Sequence, residues 1–277
     1  MKRACILYKK EDAARNGVLI NKYFSALKRA GYAPSLIITD RLNHEDVLLM
    51  AFGADAVINR TRDHLLARAL EEAGLFVTNP SGLNETANDK LLTYERLHSA
   101  VPMLDTYLLT PSGEPPLPYP FVAKPAGGHG GAGVTMISSA EGLSAYRASH
   151  PERSVIQPVA TDIGRDMRVY VVGGRPIAAM LRSSDSDFRS NYSLGGHARF
   201  VPISSLAEDE RRIVDDVCRI LPVHYAGIDI MHDHGRAILN EIEDPVGARM
   251  LYTFTELDPA EEHVRYIDQI ILKENTI

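Results

Sequence analysis

The 277-residue chain is poor in cysteine and contains no long apolar run. Its two cysteines, Cys5 and Cys218, lie in apolar surroundings without the spacing of a metal site, which predicts reduced core residues. No stretch approaches the apolar length that crosses a bilayer, and the opening MKRACILYKK is too short for a secretory signal. We therefore expect a cytoplasmic protein without a membrane segment.

Positive charge is also scarce. The 30 basic residues are outnumbered by 36 acidic ones, giving a net charge of −6, so a surface built for nucleic acid is not expected. With 45% hydrophobic and 24% charged residues, the chain is long enough for a real core and for more than one domain.

The first eighty residues alternate between strand and helix patterns. The strands ACILY, SLIITD, AVINR and FVTNP are separated by a helix from Gly17 to Gly31 and by helical stretches near 44–52 and 63–73. This alternation predicts a parallel sheet, whose functional edge lies at the carboxyl ends of its strands. Those ends carry Tyr8, Lys9, Asp40, Asn59, Arg60, Arg62 and Asn79.

The rest of the chain mixes strands with isolated helices. A helix begins near Asn88, and others are predicted near 141–148, 206–219 and 260–272. The strands are MLDTYLL, FVAK, VTMIS, SVIQPV, two hairpin strands about VGGRP, and the pair within YAGIDIMHDHGRAILNEIE.

The segment AKPAGGHGGAGV holds five glycines within seven residues, between two strands. Such a loop can turn its backbone N–H groups toward an anion, and Lys124 on the entering strand adds a positive charge. A strand follows instead of a helix, so neither a Walker loop nor a dinucleotide fingerprint fits. Taken alone, a flexible hairpin tip explains the loop as well as phosphate binding does.

The stretch ILNEIEDP places two glutamates on one face of a buried strand, and Asp229 precedes them in the strand AGIDIM. A two-residue turn at 233–234 would put Asp229 on the opposite face, whereas a three-residue turn with left-handed Gly235 would bring all three carboxylates together. Three such carboxylates repel one another unless a hard cation lies among them, and oxygen-only ligands favour Mg²⁺ or Mn²⁺. The alternative is a solvated acidic face, but the flanking aliphatic residues favour a metal site at Asp229, Glu241 and Glu243.

The motifs NDK, FVAKP, the Gly-rich loop, IQPV, GRDMRVYVVGGRPIAAMLR, DFRSN, GID and NEIEDP occur in this order. As a set they resemble the ATP-grasp superfamily, specifically its RimK-like carboxylate–amine ligases. The resemblance covers about 80–277 and fits the first eighty residues only in outline. It implies an α/β fold of the α+β ATP-grasp type. A parallel α/β domain (1–80) would precede a lid lobe with the Gly-rich loop (81–157) and a C-terminal lobe with the metal site (158–277), with ATP between the lobes.

The resemblance also implies residue roles. The hinge backbone at 157–159 would pair with adenine through the Pro158 carbonyl and the Val159 N–H, and Asp166 would hold the ribose. Two divalent ions would bridge the phosphates, held by the acidic trio. The full nucleotide set is Lys90, Lys124, Gly128, Gly130, Gly131, Gly133, Gln157, Pro158, Val159 and Asp166, and the residues facing the transferred phosphoryl group are Arg168, Arg189 and Asn191.

Two positions depart from the family pattern. Glu243 stands where such ligases usually have asparagine, so the site carries one more negative charge. That charge could strengthen metal binding or shift the preference toward Mn²⁺; alternatively, the Glu243 side chain could swing away from the metals. His129 replaces a small hydroxylic residue in the loop, and we expect a solvated histidine there.

Three arginines are candidates for substrate contact. Arg60 and Arg62 follow the third strand, where an anionic acceptor could bind, although a helix start with surface arginines explains them equally well. Arg249 is a candidate clamp for a substrate carboxylate, or a partner of Asp244 or Glu256. The HDH segment at 232–234 is interpreted as a polar hairpin tip without metal.

These features together predict an ATP-dependent ligase that joins a carboxylate to an amine through an acyl phosphate. Positioning and charge neutralisation would drive the reaction, with no enzyme nucleophile. A phosphotransferase with the same ATP site and a regulatory nucleotide-binding protein without turnover are the alternatives. The expected partners are a small-molecule or peptide acid and an amine, without nucleic acid or membrane, and a homo-oligomer is possible in this architecture.

Overall fold

The computed structural model describes residues 1–184 and 196–274. The chain begins with a parallel four-stranded sheet in the order β2-β1-β3-β4. Its central strand β1 is almost wholly buried because helices cover the sheet. The strands are β1 (Lys2–Tyr8), β2 (Tyr32–Ile38), β3 (Ala56–Asn59) and β4 (Val77–Thr78), and the helices are α1 (Lys10–Arg15), α2 (Gly17–Arg29), α3 (His44–Ala51) and α4 (His64–Glu72).

A second, antiparallel sheet follows, with the strand order β5-β8-β6-β7. Asp89 caps the helix that leads toward it, because its carboxylate accepts from the backbone N–H groups of Leu91 and Leu92. This cap fixes Lys90 as the first residue of that helix. The elements are α5 (Ser81–Ala87), α6 (Lys90–Leu97), β5 (Tyr107–Leu108), β6 (Phe121–Pro125), β7 (Thr135–Ile137), α7 (Ala140–Ser149) and β8 (Ser154–Pro158).

The third sheet is antiparallel with the order β11-β10-β9-β12-β13. Strand β9 lies between β10 and β12, so side chains from three strands meet on its faces. The elements are β9 (Arg165–Val172), β10 (Arg175–Ser183), β11 (His197–Val201), α8 (Glu208–Ile220), β12 (Tyr225–Asp233), β13 (Arg236–Glu243), α9 (Arg249–Phe254) and α10 (Pro259–Glu274).

The last helix returns to the first sheet. Val264, Ile267 and Ile271 of α10 belong to the same apolar cluster as Ile6 and Leu27 from the amino-terminal unit. The two ends of the chain therefore share one core.

The expected alternation of strands and helices is confirmed, with boundaries within a few residues for most elements. The predicted strand MLDTYLL is shorter than expected, since only Tyr107–Leu108 is extended and paired. Sequence analysis missed the short helices α1, α5 and α9, whose six or seven residues are too few to show a helical period. Both cysteines are free, with Cys5 buried and Cys218 partly buried. Within the described residues, no helix is long and apolar enough to cross a membrane.

Candidate active site

The loop at 126–134, between β6 and β7, depends on glycine for its conformation. Gly130, Gly131 and Gly133 have φ values of 63°, 80° and 70°, in the left-handed region that side chains disfavour. A Cβ on Gly133 would lie 2.8 Å from the Cγ of Pro125, so this position has no room for one. The loop therefore has a defined conformation that requires glycine at these positions.

A cleft lies beneath this loop, between the two antiparallel sheets. We call it the nucleotide cleft. One end is basic and the rest of the wall includes apolar side chains such as Val122 and Met231. Gly133 lies outside the cleft, against Pro125 and His150. Nine of the ten predicted nucleotide residues and one predicted metal ligand line it: Lys90, Lys124, Gly128, Gly130, Gly131, Gln157, Pro158, Val159, Asp166 and Glu241.

Two lysines form the basic end of the cleft. Lys90 donates to the carbonyl of Gly128 and lies 4.0 Å from Glu241 Oε2. Lys124 is 7% exposed, and burial, together with the charge of Lys90, lowers its pKa to about 8. The structure thus holds two cations where an anion would offset their repulsion.

The predicted hinge lies at the end of β8. The Gln157 side chain is buried and donates to Thr106 Oγ1 at 2.7 Å, which anchors the strand at the cleft wall. Pro158 pairs with Phe121 in the ladder, and Val159 follows as the chain leaves the sheet. The Gln157 amide nitrogen is therefore engaged within the protein.

The acidic trio shares one face, as predicted, but the turn differs from both alternatives. The hairpin closes with a two-residue turn at His234 and Gly235, both at positive φ, which pairs Asp233 with Arg236. That register alone would turn Asp229 away from the glutamates. A β-bulge at Asn240 shifts the pairing so that Asp229 faces Glu241 directly.

One carboxylate oxygen from each of Asp229, Glu241 and Glu243 lies within 4.8 Å of the others. The Asp229 side chain is fully buried, and Arg168 donates to it from Nε (2.8 Å) and Nη2 (2.7 Å). Arg182 Nη2 donates to the same carboxylate at 2.7 Å. Burial alone would raise the pKa of Asp229, but the two guanidinium groups outweigh it and hold the pKa at about 2. Arginine therefore offsets part of the repulsion that we had assigned wholly to a metal.

Glu241 is compensated less well. Burial and the charges of Asp229 and Glu243 raise its pKa, and its nearest cation in the described residues is Lys90 at 4.0 Å. Glu243 accepts from Arg168 Nη2 at 2.8 Å. An oxygen-only donor set that includes a partly buried, incompletely compensated carboxylate fits Mg²⁺ or Mn²⁺.

Asp166 forms a buried ion pair within the protein. It is 4% exposed, and both its oxygens accept from Arg182, through Nε at 2.6 Å and through Nη2. This bidentate pairing links Asp166 through Arg182 to Asp229. Asp166 also lines the nucleotide cleft, so its contact with the ribose stays a prediction.

A profile of the RimK-like ATP-grasp domain matches residues 111–267. The chain belongs to the RimK-like ATP-grasp family. It is 30% identical over 241 residues to a probable alpha-L-glutamate ligase of Xanthomonas oryzae pv. oryzae, covering 79% of each chain. It is 34% identical over 201 residues to beta-citrylglutamate synthase B of Danio rerio, covering 67% of this chain and 48% of that protein. The fold resembles the D-alanine–D-alanine ligase of Bacillus anthracis complexed with ATP, with a TM-score of 0.74, 14% identity, and coverage of 100% and 99%.

These likenesses confirm the expected family and fold class, and they make the chain a member of a group of ATP-grasp carboxylate–amine ligases. The nucleotide cleft has the position between two antiparallel sheets that the ATP-grasp resemblance implied.

A second pocket adjoins the nucleotide cleft, and we call it the arginine pocket. Gly130 and Arg182 line both cavities, so the two lie side by side. The lining of the arginine pocket is Tyr8, Asp12, Arg15, Asn16, Arg60, Arg62, Gly130, Arg168, Tyr170, Arg182, Glu243, Pro245, Gly247, Arg249 and Met250.

The three predicted substrate arginines all line this pocket, although they come from distant parts of the chain. Arg60 is 3% exposed and donates to the carbonyl of Val246 and to Tyr8 Oη, so part of its role is to join the first and third sheets. Arg62 lies 3.7 Å from Asp12, and Arg249 is the first residue of α9.

His129 is partly buried at the loop tip, which corrects the expected solvated side chain. Burial, then the charges of Arg62 and Lys90, lower its pKa to about 4, so the imidazole is neutral at pH 7. The loop therefore reaches from the nucleotide cleft toward the arginine pocket.

Arg189 and Asn191 lie outside the described residues. The HDH turn behaves as a polar tip, since Asp233 accepts from the Thr161 backbone N–H. Among the described residues, Asp229, Glu241 and Glu243 form the one group with metal-ligand geometry. Sequence analysis missed Arg182, Asp12 and Arg15; Arg182 ends the motif GRDMRVYVVGGRPIAAMLR and could have been found there.

Proposed function

We propose that this protein is an ATP-dependent ligase that forms an amide from a carboxylic acid and an amine through an acyl phosphate. A carboxylate oxygen of the acid attacks the γ-phosphorus of ATP, and ADP leaves. The amine nitrogen then attacks the acyl carbon, phosphate leaves, and the amine proton passes to solvent. The named activities of the related ligase and synthase support this class of reaction.

The observation that carries the proposal is the junction of the two pockets at the acidic trio. Glu241 lines the nucleotide cleft, whereas Glu243 lines the arginine pocket, and the buried Asp229 lies beside both of them. A γ-phosphate in the first pocket would thus lie beside an anionic substrate in the second. Such juxtaposition supplies the positioning that phosphoryl transfer requires.

The chain's own cations would hold the nucleotide. Lys90 and Lys124 would neutralise phosphate oxygens, and the backbone of the loop at 128–131 would donate to them. The backbone at 157–159 would pair with adenine. Asp229, Glu241 and Glu243 would hold Mg²⁺ or Mn²⁺, which when bound neutralises charge on the transferred phosphoryl group.

Arg168 would stabilise the charge that develops during transfer. It is fixed by Asp229 and Glu243 at the floor of the arginine pocket, so no reorganisation is needed when the acyl phosphate forms. Arg189 and Asn191 are proposed for the same charge on the family resemblance alone.

We also propose the division into units at 1–80, 81–157 and 158–277, with α10 packing back on the first unit. Closure of the middle unit over the nucleotide would exclude water, which otherwise hydrolyses the acyl phosphate.

The test is a phosphate-release screen over pairs of carboxylates and amines, with Mg²⁺ and with Mn²⁺. We expect release that requires both the acid and the amine, together with an amide product seen by mass spectrometry. Glu241→Gln should reduce metal-dependent ADP formation by about a hundredfold or more, since it removes one of the three charged ligands.

Two other outcomes would replace the proposal. A stable phosphorylated product that forms without amine would identify a kinase. Binding of ATP without turnover for any acid and amine pair would identify a regulatory nucleotide-binding protein.

A further inference from the structure

The position of Lys90 depends on contacts outside the nucleotide cleft. After burial, the charge of Lys90 is the larger cause that lowers the pKa of Lys124, so the two cations repel one another in the free protein. The Lys90 side chain donates to the Gly128 carbonyl, and its ion pair with Glu241 is long, at 4.0 Å. Where this side chain lies is therefore set largely by how the backbone at the start of α6 is held.

A closed ring of contacts fixes that backbone against the base of the Gly-rich loop. The Lys90 N–H donates to the Ala126 carbonyl at 3.0 Å, and the Ala126 N–H donates to the Arg153 carbonyl at 2.8 Å. The second bond extends the antiparallel pairing of β6 with β8 by one residue pair. The Arg153 side chain closes the ring, because its Nη1 donates to Oδ2 of Asp89, the residue directly before Lys90.

The Asp89 carboxylate has two functions in this ring. Its Oδ1 accepts from the backbone N–H groups of Leu91 and Leu92, at 2.9 and 3.0 Å, and so caps α6. Its Oδ2 accepts from Arg153. Of the three noncovalent links in the ring, two join backbone groups, so the ion pair is the link that a side-chain substitution removes.

Arg153 lies outside the nucleotide cleft. Together with Asp89, Gly127 and Gly128 it lines a groove on the other side of the loop, and neither Asp89 nor Arg153 lines the cleft. The Arg153 side chain is 50% exposed, so its substitution leaves no buried cavity. An exposed ion pair adds little to stability, but this one restricts the start of a helix that carries a cleft lysine.

We propose that Arg153 is a positioning residue for ATP: through its ion pair with Asp89 it holds Lys90 where the phosphate groups of the nucleotide bind. The inference rests on the proposed function, since it takes the nucleotide cleft as the site of ATP. A cation whose position is fixed before binding loses less conformational entropy when it contacts a phosphate. Loss of the ion pair should therefore weaken nucleotide binding, and it should do so through Lys90.

The experiment measures the Kd of ADP for the full-length protein in the presence of Mg²⁺, by isothermal titration calorimetry at constant ionic strength. ADP is the probe because its binding requires neither the acid nor the amine. Arg153→Gln should weaken ADP binding by about threefold to tenfold. Arg153→Lys keeps the charge and should retain most of the affinity. Circular dichroism confirms that each variant is folded.

A double-mutant cycle with Lys90→Gln separates positioning from other effects of the lost charge. Lys90→Gln should weaken ADP binding more than Arg153→Gln does, and adding Arg153→Gln to it should change the Kd by less than about twofold. A loss of long-range attraction or of general stability would persist in the Lys90→Gln background. Arg147→Gln is the matched control and should leave the Kd unchanged, because Arg147 donates to the carbonyls of Thr110 and Gly113.

An unchanged Kd in Arg153→Gln would overturn the inference, as would a loss of the same size with and without the Lys90 side chain. Either result leaves the proposed function standing, since ADP still binds to the unmodified protein. No binding of ADP to the unmodified protein would instead contradict the proposed function and this inference together.

Discussion

Lys124 is a buried lysine whose charge depends on its surroundings. Burial and Lys90 lower its pKa from the usual 10.5 to about 8, so the free protein loses this charge as the pH rises above about 8. Bound phosphates would favour the charged form and raise the pKa again. We therefore predict that ATP binding takes up nearly one proton above about pH 8, and that affinity falls up to about tenfold per pH unit there.

Calorimetry in buffers of different ionisation enthalpy measures this proton uptake. Lys124→Arg is the matched variant, because arginine stays charged and its binding should take up no proton at this site. Proton uptake of the same size in Lys124→Arg would show that another group titrates. ATP affinity that is unchanged in Lys124→Ala would contradict the phosphate contact itself.

Two carboxylates of the trio should respond in opposite ways to neutralisation. The low pKa of Asp229 means that its charge stabilises the fold above about pH 4, and that this stabilisation is lost as the pH falls toward 2. Asp229→Asn leaves two buried guanidinium groups undercompensated, so we predict a loss of about 3–5 kcal/mol in the free energy of unfolding. The raised pKa of Glu241 means that its charge opposes folding, so Glu241→Gln should be neutral or stabilising without metal.

Urea unfolding at pH 7 in the presence of a chelator tests this pair of variants. Added Mg²⁺ and ATP should then stabilise the unmodified protein more than Glu241→Gln, because ligand binding to the folded state adds to its stability. The prediction is wrong if Asp229→Asn unfolds at the same urea concentration as the unmodified protein. Glu241 is thus the cleaner probe of function.

The sequence predicted which residues carry charge at the site better than it predicted their partners. Asp229 and Arg168 were recognised from their motifs, but their pairing requires β9 to lie between β10 and β12. The order of strands along the chain does not give that arrangement. Arg182 was missed for the same reason. It lies on β10 and contacts Asp166 on β9 and Asp229 on β12.

At the scale of single elements, the three carboxylates on the hairpin of β12 and β13 share one face as predicted, although the turn between the strands differs from the predicted one. Alternation along β13 placed Glu241 and Glu243 together, and this was reliable because a strand has a period of two. The position of Asp229 depended on one extra residue, the bulge at Asn240. A bulge has no fixed sequence signature, so turn length alone could not predict it.

The Gly-rich loop offers a prediction with an internal control. Gly133 has φ 70° and a Cβ there would meet Pro125 at 2.8 Å, whereas Gly130 has φ 63° but open space around it. Gly130→Ala should cost only the backbone strain of about 1–2 kcal/mol, and Gly133→Ala should cost more because the neighbours must move as well. Thermal unfolding and the KM for ATP measure both effects.

We expect Gly133→Ala to lower the melting temperature further than Gly130→Ala does. Gly130 lines both pockets, so its variant should raise the KM for ATP with a smaller loss of melting temperature than Gly133→Ala shows. Identical melting temperatures for the two variants would show that the close contact at Gly133 relaxes freely.

At the scale of the whole molecule, the amino- and carboxyl-terminal segments form one packing unit. Sequence analysis found both α2 and α10 from their helical periods, but it could not say that they pack together, because their contact spans most of the chain. The contact includes ion pairs of Lys2 with Asp268 and of Arg29 with Glu261, around the shared apolar cluster. The arginine pocket depends on the same packing, because Arg15 and Arg62 come from the first unit and Arg249 from the last.

Because the two ends of the chain share one core, we predict that a cavity created in α10 destabilises β1. Ile267 is fully buried in the cluster that contains Ile6 of β1, whereas Leu272 on the same helix is 55% exposed. Ile267→Ala should lower the free energy of unfolding by about 2–5 kcal/mol, and Leu272→Ala should change it by less than about 0.5 kcal/mol. Hydrogen exchange followed by mass spectrometry should show faster exchange of β1 amides in Ile267→Ala alone. If β1 keeps its protection while α10 loses its own, the first sheet is stable without the last helix, and the two chain ends do not form one folding unit.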